Sequence, residues 1–362
     1  MLRDASDIAL SRSYQDALAF LDLHGSPETR FTRHLLQANA SLHEDTAWLA
    51  GLNAYLAQFK LSPVVLQPGD RNGRFLRLSA RQASAVTHGP RVSVIMTAFN
   101  AEDTLTHAVL SILGQTWRNL ELIVVDDAST DSTWAMLQSL AAADPRMRLL
   151  RSRVNVGPYV GRNHALSVAT GDFITCHDAD DWAHPQRIER QMASLTSKRG
   201  AKATWSSMLR LRRDGHLPGF GPISRWSFDG AARLASVSAL FEKRWFDLNL
   251  GHWDSVRFAA DSELIGRARL LLGNKFRTDR VVSMLCLSSD TSLTGAEQTG
   301  LGSAVRMQYR ARWQKWHSTL RQGDAYIAFP QTQRKFEAPL SMLANQAEIH
   351  PVECEGKSAN ET

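Results

Sequence analysis

A chain of 362 residues with 43% hydrophobic and 22% charged content can bury one large core or two moderate ones, and it shows no bias toward disorder. No apolar run approaches the roughly 18 residues needed to span a bilayer, and the opening Met1-Leu2-Arg3-Asp4-Ala5-Ser6-Asp7 lacks the apolar segment of a signal peptide. A net charge of +6 and a pI near 9.4 favour polyanionic partners, but no zinc finger, aromatic RNA-binding signature or sustained basic helix points to nucleic acid.

Residues 1 to about 60 carry helical spacing, with Leu35, Leu36, Leu42, Trp48, Leu49, Leu52 and Leu56 as the apolar positions, before strand-like Pro63-Val64-Val65-Leu66. A dense turn signal at Gln67 to Gly73 and a polar stretch from Arg81 to Pro90 then place a boundary near residue 90. From Arg91 short apolar strands alternate with amphipathic helices, the texture of a parallel sheet covered on both faces. Strands are predicted at Val92 to Thr97, Leu120 to Val125, Met147 to Leu150 and Asp172 to His177. Helices between them carry Leu105, Val109, Ile112 and Leu113, then Trp134, Leu137 and Leu140, then Ala165 and Val168; Glu102 and Asp103 are expected in the first turn of the first, and Gly114 at its end. Beyond Pro185 the pattern predicts a helix, a hairpin around Arg213 to His216, a strand over Val237 to Phe241, a helix from about Asp261 to Leu272 and a strand over 276 to 287. Arg306, Tyr309, Trp313, Trp316 and His317 follow helical spacing in a segment expected to pack back on the domain before them. The divisions expected are 1–90 mainly helical, 91–290 the α/β domain (91–185 and 186–290 as its halves), 291–345 a C-terminal helical segment and 346–362 a flexible tail. Three widely spaced cysteines, Cys176, Cys286 and Cys354, offer no zinc-ligand spacing and fit a reducing compartment. The expected location is therefore the cytoplasm, with the inner face of an anionic membrane open to a basic protein.

The acids gather where strands end. Asp178-Ala179-Asp180 closes an apolar strand, and residues two apart on an extended backbone point to one side, so the two carboxylates can converge. A divalent cation would give them a reason, because Mg²⁺ and Mn²⁺ prefer carboxylate oxygens and substrate phosphates. A turn with a helix cap is the alternative for an isolated Asp-x-Asp. Asp126 and Asp127 also follow a strand, and in open parallel sheets ligands bind beyond the carboxyl ends of the strands.

In order, Val92-Ser93-Val94-Ile95-Met96-Thr97-Ala98-Phe99-Asn100, Gly114-Gln115-Thr116-Trp117, Glu121 to Asp131, Asn155-Val156-Gly157, Gly161-Arg162-Asn163-His164-Ala165, Gly171-Asp172 and Asp178-Ala179-Asp180-Asp181 resemble the family 2 glycosyltransferases of bacterial surface-polysaccharide type. The resemblance spans roughly 91 to 290 and implies a GT-A fold: α/β, Rossmann-like, with a mostly parallel sheet and helices on both faces, here preceded by a helical region. It implies a nucleotide-sugar donor, a UDP-sugar being favoured, and a saccharide or lipid-linked acceptor. Thr97, Ala98 and Phe99 would line the base and ribose pocket, Glu102 the ribose, and a carboxylate of the Asp126-Asp127 loop the nucleobase. Asp180 is expected as the direct ligand of Mn²⁺ or Mg²⁺, Asp178 as a metal or ribose contact, and Arg162 as facing the nucleotide. Phe258 to Arg267 is similar to the family's acidic helix start, with Asp261 as general base for inverting transfer and Glu263 as its alternative, since Ala260 stands where an acid often precedes the base. Asp254, just upstream, is a candidate for acceptor hydrogen bonding. Ala98 replaces a common proline, Ala128 a usual loop glycine, and Cys176-His177 a usual apolar pair. His177 should point away from Asp178, Trp182 and His184 should shape the turn, and Trp205, Trp226, Trp245 and Trp253 should fill the core. The alternative functions are a nucleotidyltransferase, which would need a glycine-rich basic loop after the first strand, and an inactive nucleotide-sugar-binding scaffold.

Overall fold

The computed structural model describes residues 2–26, 29–81, 83–197, 200–289, 292–321, 323–344 and 353–355. Four helices come first: α1 (Leu2–Ser11), α2 (Tyr14–His24), α3 (Arg33–Ala40) and α4 (Asp45–Leu56). A two-stranded antiparallel ribbon follows, β1 (Val64–Leu66) on β2 (Leu78–Ala80). The alternating region runs β3 (Val92–Ala98), α5 (Leu105–Leu113), β4 (Leu120–Asp126), α6 (Thr133–Ala143), β5 (Met147–Arg151), α7 (Pro158–Val168), β6 (Phe173–Asp178), β7 (Asp181–Ala183) and α8 (Arg187–Thr196). The second half contributes β8 (Ala203–Leu211), β9 (Arg233–Leu234), β10 (Leu240–Glu242), α9 (Lys243–Asn249), α10 (Ala260–Leu272), β11 (Phe276–Leu287), α11 (Ala304–Ser318) and β12 (Glu353–Glu355).

One ten-stranded sheet takes the order β12-β5-β4-β3-β6-β10-β8-β11-β7, with β9 beside β8. Strands β5, β4, β3 and β6 are parallel neighbours, while β10 runs antiparallel between β6 and β8, and β8 pairs in parallel with β11. Alternation along the central strands decides which residues meet which helices. Val92, Val94, Met96 and Ala98 of β3 face α5 and α8, where Val109, Ile112, Ile188 and Met192 complete one cluster. Ile95, Ile123, Val125, Ile174 and Cys176 face the other way, onto α7 and α10. Both faces of the sheet are thus covered, which is why these strands read as continuous apolar runs. The carboxyl ends of β3, β4 and β6 lie side by side, with Ala98 opposite Asp126 and Thr97 opposite Asp178.

Several expectations shift in detail. Helix α5 begins at Leu105, so Glu102 and Asp103 precede it rather than occupy its first turn. The turn at Arg212 to His216 is present, closed by the Arg212 amide donating to His216 O at 2.8 Å, but the chain after it wanders to residue 232 before returning as β9 on Ser207 and Met208. Only Leu240–Glu242 of the predicted 237–241 strand is extended in the sheet; Ser236–Ser238 form a 3₁₀ turn. In 291–345 the only α-helix among the described residues is α11, and 323–344 runs irregularly along the 250–257 loop through bridges at Gly251 to Ile327 and Val256 to Leu343. Of the expected tail, Glu353–Glu355 pairs antiparallel with β5, and the remainder lies outside the described residues. The change of texture near residue 90 is not a packing boundary. Trp48, Leu52, Tyr55 and Phe75 share one buried cluster with Trp182, Leu209, Leu211, Leu217, Val282 and Leu285 of the α/β part.

Candidate active site

The loop after β3 is tied to the loop after β4. Asn100 takes a left-handed backbone (φ 47°), its amide donates to Ser129 Oγ at 2.9 Å, and its Oδ1 accepts from the Thr130 amide at 2.8 Å. Glu102 Oε2 accepts from the Ser132 amide at 3.0 Å, so this side chain pins the same pair of loops. Ala98 is buried, Thr97 half-buried, and Phe99 is 50% exposed at the rim. Asp126 is fully buried: Oδ1 accepts from the Ser129 amide at 3.2 Å and Oδ2 pairs with Arg151 Nε at 3.1 Å. Asp127 is buried as well, its carboxylate accepting the amides of Val156 at 3.0 Å and Gly157 at 2.8 Å, the second being the residue that caps α7. Burial holds its pKa above the usual carboxylate range against the pull of those two donors. Both acids at the expected base position thus already brace the loops between strand ends. Ala128 sits at φ 63°, a left-handed conformation that explains why glycine suits this loop position.

At the end of β6, Asp178, Asp180 and Asp181 bring carboxylate oxygens within 4.8 Å of one another. Arg162 from α7 donates from Nη2 to Asp178 Oδ1 at 2.7 Å, and its own side chain is buried. Among the described residues no ion pair of this kind reaches Asp180 or Asp181. Burial, then the charge of Asp178, pushes Asp180 up to about 6. Burial and the charges of Asp180 and Asp178 hold Asp181 well above the ordinary range. Three carboxylates this close, two of them raised by burial and then by their neighbours' charge, fit a divalent cation, whose charge would offset both effects. Asp181 is the member that spacing alone missed: alternation sends it away from Asp178 and Asp180, but the chain turns between β6 and β7, and the Leu287 amide donates to its Oδ1 at 3.1 Å. His177 does point away, as alternation predicts. Its Nε2 lies 3.2 Å from Asp181 O and its Nδ1 3.3 Å from Arg187 Nη1, on the far face of the sheet. Burial and Arg187 hold it neutral, well below its usual pKa. Arg187, fully buried, also donates to Thr175 Oγ1 and Cys176 O, both at 2.8 Å. Together they support the acidic turn from behind.

The amino end of α10 is linked to the cluster through α7. Its cap is Ala259, at φ 74°, so Asp261 is the second helical residue and not the cap itself. Asp261 Oδ1 accepts from Tyr159 Oη at 3.0 Å and from the Ser262 amide at 2.8 Å. Tyr159 and Arg162 lie one turn apart on α7, the guanidinium 5.1 Å from the phenol ring centre, so one helix touches Asp178 with one residue and Asp261 with the other. Burial and the Asp261 charge raise the Tyr159 pKa far up, which keeps its hydroxyl a donor. Nothing in the sequence pattern links Tyr159 to Asp261, 102 residues away.

Glu263 and Asp254 stand differently from expectation. Glu263 is fully buried and held by Arg267 at 2.9 and 3.1 Å and by His317 of α11 at 3.0 Å, a structural ion pair with no face toward a substrate. Arg267 further donates to the carbonyls of Leu250, Ala325 and His252, fastening α10 to the loop before it. Asp254 is also fully buried, its Oδ2 accepting from Tyr309 at 2.9 Å and from Arg334, so it faces the C-terminal segment rather than an acceptor. Burial raises its pKa. Trp182, His184, Trp205 and Trp253 are buried and Trp245 half-buried, as expected for packing; Trp226 is the exception, at 43% exposure. Cys176 and Cys286 are buried free thiols.

Residues 93–205 match the family model described as Glycosyl transferase family 2. Among curated relatives, the putative glycosyltransferase EpsE of Bacillus subtilis is 43% identical over 122 residues, covering 33% of this chain and 44% of that protein. The UDP-Glc:alpha-D-GlcNAc-diphosphoundecaprenol beta-1,3-glucosyltransferase WfaP of Escherichia coli is 34% identical over 108 residues, covering 30% of this chain and 42% of that protein. The chain spans less than half the length of these relatives. Among solved structures, S. aureus TarS 1-349 in complex with UDP-GlcNAc aligns at TM-score 0.45 with 18% identity, over 56% of this chain and 60% of that one. No helix among the described residues is long and apolar enough to cross a membrane.

Proposed function

We propose, from the match of residues 93–205 to the family 2 glycosyltransferase model, that the chain transfers a sugar from a nucleotide-diphosphate donor, a UDP-sugar by preference, to a saccharide or lipid-linked acceptor in surface-glycan synthesis, with inversion at the anomeric carbon. The observation that supports this reading is the Asp178–Arg162–Tyr159–Asp261 bridge, which links the acidic triad at the strand ends to a carboxylate at the start of α10. The relatives named for glycosyl transfer, one of them onto a lipid diphosphate, support the substrate classes.

In this reading Phe99 and Thr97 line the base and ribose, with Asp126, Asp127 and Glu102 acting mainly by holding the two loops in place. Asp180 and Asp181, with Asp178 at the ribose side, would hold Mn²⁺ or Mg²⁺, which offsets charge on a leaving diphosphate. Arg162 adds a fixed cation next to the same oxygens. Asp261 accepts the proton of the acceptor hydroxyl as its oxygen attacks the anomeric carbon. Because Tyr159 and the Ser262 amide both occupy Oδ1, Oδ2 is the atom that takes the proton; it accepts no hydrogen bond among the described residues. The positive net charge suits peripheral association with an anionic membrane surface, where a lipid-linked acceptor would lie.

Calorimetry with UDP and Mn²⁺ tests the assignment, followed by turnover of UDP-, GDP-, CDP- and dTDP-sugars. Asp180→Ala is expected to lose metal-dependent UDP binding, whereas Asp261→Asn retains it and loses transfer. Normal UDP and Mn²⁺ binding by Asp180→Ala sinks the metal assignment. Binding by the unaltered chain without turnover of any donor would identify a scaffold instead.

A further inference from the structure

The loop between β8 and β9 carries an exposed tip at residues 222–226. Ser224 and Ser227 exchange backbone hydrogen bonds at 2.8 and 3.1 Å, and the Gly221 amide donates to Gly230 O at 2.8 Å, so Pro222 to Trp226 project from a closed turn. Ile223 is 50% exposed and Trp226 43%. Arg225 lies over the Trp226 ring at 5.1 Å, and Trp226 meets buried Trp205 edge-on at 6.1 Å. The same Trp205 carries Arg269 of α10 over its ring at 5.3 Å, and Leu270 beside it is 59% exposed. Trp226 and Arg269 thus both contact Trp205, with Arg225 on the Trp226 ring and the exposed Ile223 and Leu270 beside them in the chain. Arg225, Arg233 and Arg269 make no ion pair among the described residues. From residue 203 to 241 five arginines stand against two aspartates, and one of those, Asp229, is buried against Tyr55.

We propose that this face, Ile223, Arg225 and Trp226 on the tip with Arg269 and Leu270 on α10, docks the protein on an anionic lipid bilayer. It deepens, and rests on, the peripheral association proposed above. Single exposed apolar residues are ordinary, but a patch of them edged by cations marks an interaction surface. A tryptophan beside arginines suits the bilayer interface, where the ring sits at headgroup level and guanidinium groups meet phosphate. The unpaired positive charge favours an anionic lipid over a neutral one.

Flotation of the full chain with phosphatidylcholine vesicles, with and without phosphatidylglycerol, tests it. Binding is expected only to the phosphatidylglycerol vesicles and to weaken with added salt. Ile223→Ser with Trp226→Ser, and separately Arg225→Glu with Arg269→Glu, should each lower the partition coefficient about tenfold or more. UDP and Mn²⁺ binding, measured on the same variants, reports independently on the donor site and on folding and should stay at the wild-type value. Equal binding to both vesicle types, or variants that partition like the wild type, overturns the proposal. So does a Trp226 variant that loses affinity for a soluble saccharide while its partition is unchanged, since the patch would then be an acceptor subsite.

Discussion

Tyr159 illustrates how much of this site depends on single hydrogen bonds. Its hydroxyl, 3.0 Å from Asp261 Oδ1, leaves the carboxylate one free oxygen and one orientation. A hydrogen bond to a charged group contributes about 1.5–3 kcal/mol, and a base that swings loses the near-attack geometry it needs. Tyr159→Phe is therefore expected to lower kcat by roughly ten- to a hundredfold with donor KM unchanged, because the ring still supports Arg162 at the other end of the bridge. Steady-state kinetics that show an unchanged kcat, or a rise in KM alone, would show that Tyr159 does not position the base. Asp127 presents the converse case: its two amide donors make it a brace for the Asn155 to Pro158 loop before it is anything else. The sequence showed the acid and its loop, and the resemblance suggested nucleobase contact; the hydrogen bonds give it a second duty that no spacing signals.

Helix α7 is the element that couples Asp178 to Asp261, and its distance from β3 is set by one glycine. A Cβ added at Gly161 would stand 2.9 Å from Thr97 Cγ2 and 3.5 Å from Val125 Cγ1. Thr97 is itself at the strand end opposite Asp178. Gly161→Val should push α7 away from the sheet, moving Tyr159 and Arg162 together, at an overpacking cost of about 1–3 kcal/mol. The expected result is a lower Tm together with loss of both metal-dependent UDP binding and transfer. Full activity in that variant would show that the α7–β3 spacing is not critical. Helix α10 is anchored differently, by the buried Glu263–Arg267 pair and His317 rather than by close backbone contact. The sequence put Asp261 first and left Glu263 as the alternative base, and helical geometry separates them: two residues apart they point to different sides, Asp261 to Tyr159 and Glu263 to the core.

At the scale of the molecule, the N-terminal helices and the α/β part share a core. Trp48 is fully buried, its Nε1 donating to Gly215 O at 3.1 Å, while Arg74 lies 4.9 Å from its ring centre. Tyr55 donates to Asp229 at 2.5 Å, and Asn39 exchanges two hydrogen bonds with the Leu217 backbone. These contacts hold the 213–232 segment, which carries the proposed docking tip, on both sides of that tip. Trp48→Ala should cost about 3–5 kcal/mol, read as a shift in the denaturant midpoint of a single transition for the whole chain. A separate, early transition with the main one unmoved would mean that the N-terminal region folds on its own.

The strands, their order along the chain and the acidic loops were legible in the sequence, since buried parallel strands need continuous apolar runs and polar chemistry can sit only where those runs stop. The strand at 276–287 and the helix reaching Leu272 stand in the structure as the periodicity predicts. The boundary at 90, the exposure of Trp226 and the partners of Asp254 were not legible. Composition marks a change of texture, but only the packing of distant surfaces tells whether a helix is a separate unit or a wall of the same core. The acidic pair at 178 and 180 follows from local alternation, which repeats every two residues. Its third member Asp181, and the link through Arg162 and Tyr159 to Asp261, come from a chain reversal and from contacts across 102 residues, and those distances exist only once the sheet and its helices have closed around them.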